Sequence, residues 1–128
     1  MAERKYDGFI PGPQLIEAYG SGGFRFAGMS HLGSILALPS GIHAWGAADA
    51  KDIDYESLKP ILAEPQGAVK FLLIGTGAAM AQVDPRLLQK LRAAGLSVDT
   101  MATGHAVSTY NIMLGERRPV AAALVAAP

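Results

Sequence analysis

Cysteine is absent from the 128 residues. That absence excludes disulfides, iron–sulfur clusters, thiolate zinc sites and a cysteine nucleophile. An excess of charge of either sign is missing too, since eleven Lys and Arg balance eleven Asp and Glu. A nucleic-acid-binding module carries a basic excess gathered into a patch, and a polybasic membrane anchor needs a cluster of Lys and Arg. Neither kind of partner is expected. Long apolar runs are also lacking. A spanning helix takes about 20 apolar residues, whereas 71–81 is broken by two glycines and 120–128 is shorter still. A signal peptide needs an apolar stretch directly after its basic residues. Here Asp7, Gly8, Pro11, Gly12 and Pro13 follow Arg4 and Lys5. The expectation is a cytoplasmic protein with no direct insertion into a membrane.

What is present suffices for a core. Half of the residues are hydrophobic and only 17% are charged, a balance that argues against disorder. The length fits one domain of the usual ~100–150 residues. Residues 1–13, rich in Pro, Gly and charge, read as an N-terminal arm, and 14–128 as the single domain. Leu15, Ile16 and Tyr19 suggest a short strand, and Gly20-Ser21-Gly22-Gly23 a turn. Phe24-Arg25-Phe26 alternates as a half-buried strand does, and Met29-Ser30-His31 reads as another turn. Leu32–Leu38 is apolar and ends at Pro39-Ser40-Gly41, and Ile42–Trp45 follows as a strand. These segments form a small antiparallel β unit.

From Asp52 the pattern changes. Tyr55–Leu62 has helical spacing, but Pro60 makes the helix short or distorted. Asp52 or Asp54 would cap it. Val69–Ile74 is an apolar run of the kind found in strands covered on both faces. Asp84-Pro85 opens a helix with Leu87, Leu88 and Leu91 as its buried stripe, and Gly95 closes it. Leu96–Met101 is the next strand, Ala106–Leu114 a helix and Val120–Val125 a last strand. The unit is β-α-β, and its crossover is expected to be right-handed.

No catalytic or metal constellation is recognisable. Gly75-Thr76-Gly77 follows a strand, and Asp99 lies near the end of the next one, an arrangement reminiscent of a dinucleotide site. However, Met80 occupies the third glycine position, and the helix begins too late for its N-terminus to meet a phosphate. A Gly-Lys-Ser/Thr sequence is absent, which excludes a P-loop. Asp49, Asp52 and Asp54 do not have the spacing of a calcium loop. His31, His43 and His105 lack ligand spacing. Gly20-Ser21-Gly22-Gly23 is not a nucleophile elbow. No cofactor is expected.

Ligands collect at the carboxyl ends of parallel strands. A polar pocket there would use Gly75, Thr76, Gly77, Thr103, Thr109, Tyr110 and Asn111. Asp99 and His105 are the nearby titratable groups. The same residues have a structural reading, in which Thr103 caps its helix, Tyr110 packs in the core and Asn111 bonds the backbone. Trp45 is either core or, if exposed, an interface anchor. Arg25, between two phenylalanines, is a solvated residue or a partner contact.

Several short elements recur in order. They are Tyr19-Gly20-x-Gly22-Gly23-Phe24-Arg25-Phe26, Gly33-Ser34-x-Leu36, Trp45 and Leu73-Ile74-Gly75-Thr76-Gly77. Met101-x-Thr103-x-x-Ala106, Thr109–Met113 and Glu116-Arg117-Arg118-x-Val120–Leu124 follow. This set, over residues 14–124, resembles the Mth-type domain family, which includes a mitochondrial assembly factor of respiratory complex I. The resemblance implies a three-layer α/β fold with a central mixed sheet and an additional β layer. It also implies no established enzymatic activity. The implied role is a protein-interaction or assembly factor for a respiratory or other membrane complex, with membrane-complex subunits or export machinery as partners. Many members carry Asp at the position of Ala102 and Arg at that of Ser108, so a polar site shaped by those charges would be reduced here. The assembly role predicts an exposed apolar or aromatic face, with Phe24, Arg25, Phe26 and Trp45 as candidates. The alternative is a small-molecule binder or enzyme that uses the strand-end crevice.

Overall fold

Val120–Leu124 is built from one leucine, one valine and three alanines, and every one of its side chains is buried. Small side chains suit a strand packed on both faces. In a computed structural model, which describes residues 9–128, this segment is the last strand, β9, and it lies inside a six-stranded sheet. The chain order is β1 (Phe9–Pro11), β2 (Ala18–Gly20), β3 (Gly23–Phe26), β4 (Met29–Leu32), β5 (Ser34–Leu38) and β6 (Gly41–Trp45). Then come two 3-10 turns, α1 (Lys59–Leu62), β7 (Phe71–Gly75), α2 (Pro85–Ala93), β8 (Ser97–Met101), α3 (Thr103–Gly115) and β9. The large sheet has the order β1-β6-β5-β9-β7-β8, and β2-β3-β4 form a separate antiparallel sheet. Strand β7 pairs in parallel with both β8 and β9, while β5 pairs antiparallel with β9. The central sheet is therefore mixed.

The crossover from β7 to β8 moves one way along the sheet, and the crossover from β8 past β7 to β9 moves back. A common hand for both puts their helices on opposite faces. The cores are arranged that way. Leu87 and Leu91 of α2, with Leu58 and Ile61, pack against Leu72, Ile74, Ala121 and Ala123. Ala106, Tyr110 and Met113 of α3, with Phe24 and Phe26 of the small sheet, pack against Leu73, Ala122 and Leu124. The helix α2 begins as its sequence directs: Asp84 Oδ1 accepts from the Arg86 amide at 2.9 Å, and Pro85 stands at the first turn.

Three local expectations are corrected. The stretch before Gln14 is not wholly an arm, because Phe9–Pro11 pairs with Gly41–His43 as an edge strand; residues 1–8 lie outside the described residues. Met29–His31 is not a turn but part of β4. The turn sits earlier, at Ala27 and Gly28, whose φ values of 51° and 71° form the two-residue hairpin loop that matches strand twist. Alanine tolerates that left-handed conformation poorly, so the sequence gives no strong turn signal there. Finally, α3 starts at Thr103 rather than Ala106, with Ala102 at its N-cap making no side-chain bond.

Candidate functional site

In register, Gly75 lies beside both Met101 and Leu124, so β7, β8 and β9 end together. Their carboxyl ends form the topological switch point at which open α/β sheets bind ligands. Here the point is closed from within. Thr103 is fully buried. Its Oγ1 donates to the Val125 carbonyl at 2.7 Å and accepts from the Gly77 amide at 2.9 Å. One hydroxyl thus ties α3, β9 and the loop after β7 together. Gly75 permits the approach, since a Cβ there would stand 2.9 Å from both Cα and Oγ1 of Thr103. Thr76 is also buried. Its Oγ1 donates to Ala79 O at 2.9 Å and accepts from the Ala81 amide at 2.9 Å, which folds the loop back on itself.

The structure brings Gly75, Thr76, Gly77 and Thr103 together, but it separates them from Thr109, Tyr110 and Asn111. Thr109 is half-buried farther along α3. Tyr110 is 1% exposed, and its hydroxyl donates to Gln14 O at 3.1 Å. Asn111 clamps the Ile16 backbone: its Nδ2 donates to Ile16 O at 2.8 Å, and its Oδ1 accepts from Ile16 N at 2.9 Å. A side-chain amide here stands in for a neighbouring strand. Thr103 does not cap α3, because its hydroxyl is turned into the sheet.

Outside the closed switch point lies a shallow hollow of about 310 Å³, edged by Tyr19, Gly77, Ala102, Gly104, His105 and Ser108. Tyr19 lies over Gly104, where any Cβ would collide with its ring. His105 is exposed, and the Ser108 hydroxyl turns back to Gly104 O at 3.2 Å. Asp99 is elsewhere, beside Lys70 and Arg92 at the β8 edge. The hollow therefore joins one imidazole to a phenol and neutral small residues, with no carboxylate to orient either. Among the described residues, no group of three His, Asp or Glu could hold a metal ion.

Burial pushes the Tyr110 phenol well above its ordinary value of 10.0. The folded state holds this proton more tightly than the unfolded chain does. Its contribution to stability is complete below the unfolded value of about 10 and is lost as the pH rises past it. Denaturation between pH 9 and about 11 should show stability falling with pH, and Tyr110→Phe should flatten that fall.

The aromatic candidates for an interface are interior. Phe24 is 3% exposed, Phe26 1% and Trp45 7%, and the Trp45 indole donates to Ser57 O at 3.1 Å. The alternation along β3 sends both phenylalanines into the core and Arg25 outwards, where it faces Glu17 at 3.8 Å. Of the four, only Arg25 is on the surface. Among the described residues, the large apolar side chains that reach solvent are Phe9, Leu15, Tyr19, Leu32, Met80 and Ile112, scattered through the sequence in a way that no periodicity signals. No helix among the described residues is long and apolar enough to cross a membrane.

Comparison with known proteins places this geometry. The NADH dehydrogenase [ubiquinone] 1 alpha subcomplex assembly factor 3 of Xenopus tropicalis is 35% identical over 87% of this chain and 60% of its own length. The chain thus spans about 60% of that curated relative. A crystal structure described as an outer membrane protein from Bartonella henselae is 43% identical, with a TM-score of 0.86 over 92% of this chain and 98% of that one. The solution structure of a Mth938-like domain from Bordetella pertussis is 26% identical, with a TM-score of 0.78 over 98% and 91% of the two chains. The model of the DUF498/DUF598 family, proteins of unknown function, matches residues 16–125. With its mixed central sheet, small antiparallel sheet and closed switch point, the chain belongs to the DUF498/DUF598 family and has the Mth938-like fold.

Proposed function

We propose that this domain is a non-catalytic assembly factor that binds protein subunits of a membrane-bound respiratory complex of the complex I kind, working from the cytoplasm. The observation that carries this reading is the sequence identity, over most of the chain, to proteins named as complex I assembly factors. The strand-end chemistry is consistent with it. Thr76 and Thr103 bond to the protein itself, and the hollow outside them offers no nucleophile paired with a base. Because Phe24, Phe26 and Trp45 are interior, contact with a partner falls to other surface groups, among them Leu15, Leu32 and Ile112.

Affinity purification of the tagged protein from gently solubilised cells tests the proposal. The expected result is recovery of respiratory-complex subunits in near-stoichiometric amount. Recovery of export machinery alone, or of no partner together with a thermal shift on addition of small metabolites, would contradict it.

A further inference from the structure

Where α3 ends, its C-cap is Glu116. The Arg117 amide bonds Leu114 O at 2.9 Å and the Arg118 amide bonds Met113 O at 3.0 Å. This paired pattern places a left-handed residue just past the cap, where glycine is the usual choice. Arg117 occupies the position with φ 59°, a conformation that strains a residue carrying a Cβ. Its guanidinium has no hydrogen bond or ion pair among the described residues. Arg118, by contrast, lies over the Phe71 ring at 4.7 Å and faces Glu116 at 3.9 Å. Both arginines border a hollow of about 270 Å³ lined mainly by apolar side chains, including Leu38, Ala68, Leu114 and Val120. It lies at the opposite end of β9 from the switch point, beside Val120 rather than Leu124. A strained backbone that carries a long charged side chain to the rim of an apolar hollow points to a use for that side chain.

We infer that this hollow docks a protein partner that presents a large apolar side chain next to a carboxylate. The inference rests on the reading that the domain acts by binding protein. The apolar lining takes the side chain, and the Arg117 guanidinium, unpaired among the described residues, matches the carboxylate in charge and in its paired donors. At about 270 Å³ the hollow has room for one large apolar side chain.

The test uses two peptides, acetyl-Asp-Leu-Phe-Asp-amide and acetyl-Asn-Leu-Phe-Asn-amide, titrated against the full chain and followed by amide NMR. The acidic peptide should shift the signals of Ala68, Leu114, Arg117, Arg118 and Val120, and should bind about fivefold more tightly than the neutral one. Arg117→Gly should abolish that difference while raising Tm by about 3 °C, because glycine relieves the strained backbone. Ala68→Phe, which keeps the arginine but fills the hollow, should weaken both peptides. Equal binding of the two peptides, shifts elsewhere, unaltered binding by Arg117→Gly, or preferential binding of decanoate in the hollow would overturn the inference. Recovery of the same subunits by wild type and by Arg117→Gly would remove this docking site and leave the assembly role intact. Peptide binding without any recovered subunit would remove the assembly role instead.

Discussion

Thr103→Val should lower stability by about 3 kcal/mol, although it changes neither the size nor the branching of the side chain. Valine removes a donor to Val125 O and an acceptor for the Gly77 amide, and both groups then remain buried without a partner. Each orphaned backbone group costs about 1–3 kcal/mol. In a domain of this length the corresponding fall in Tm is about 10 °C. Thr103→Ser keeps both bonds and loses a methyl group, so its cost should be nearer 1 kcal/mol. Urea denaturation of the three proteins checks the order, and amide exchange at Gly77 locates the damage. A neutral Thr103→Val would mean that the hydroxyl does not close the switch point, and the crevice would again be a candidate ligand site.

Asn111→Ala should cost about 2–3 kcal/mol, and its effect should be local. The Asn111 amide bonds both backbone groups of Ile16, and the segment it holds leads directly into β2. Ile16 is 3% exposed, so water does not fully replace the lost bonds. The small sheet is also held by Phe24 and Phe26 packing under it and by the Gly22 amide, which donates to Ala127 O at 2.7 Å. Hydrogen exchange should therefore accelerate in β2–β4 while β7 and β9 stay protected, the signature of a unit that opens by itself. Uniform acceleration over both sheets would show that the clamp supports the whole domain rather than one layer.

The contrast between these two residues shows what was legible in the sequence. The β7-α2-β8 unit was readable because its signals are local: an apolar run, an Asp-Pro helix start, a leucine stripe and a closing glycine. The structure shows all four, down to the Asp84 cap and the φ of 97° at Gly95. The resemblance to the family likewise gave the layered fold. What was not legible depends on contacts distant in sequence. Asn111 meets Ile16 across 95 positions and Tyr110 meets Gln14 across 96, and no spacing rule announces either. Its sequence position offers Thr103 as a pocket residue or a helix cap, yet its hydroxyl is turned into the sheet, because its partners are brought in by β9 and by the loop after β7. Phe24, Phe26 and Trp45 are buried because a second layer covers one face of the small sheet and a 3-10 segment receives the indole. Alternation alone told which residues share a face, not which face is wet. Arg117 belongs to the Glu116-Arg117-Arg118 element of the family resemblance, but nothing in that element announces its left-handed backbone, which is imposed by the way α3 ends.

The most direct measurement is the amount of assembled NADH dehydrogenase in membranes of cells from which this chain has been deleted, resolved on native gels beside the other respiratory complexes. The predicted result is a specific loss of the assembled complex with its subunits still synthesised. Wild type should restore it, and on the non-catalytic reading proposed above so should His105→Ala. An undiminished complex, or restoration by wild type but not by His105→Ala at equal protein level, would contradict a non-catalytic assembly role.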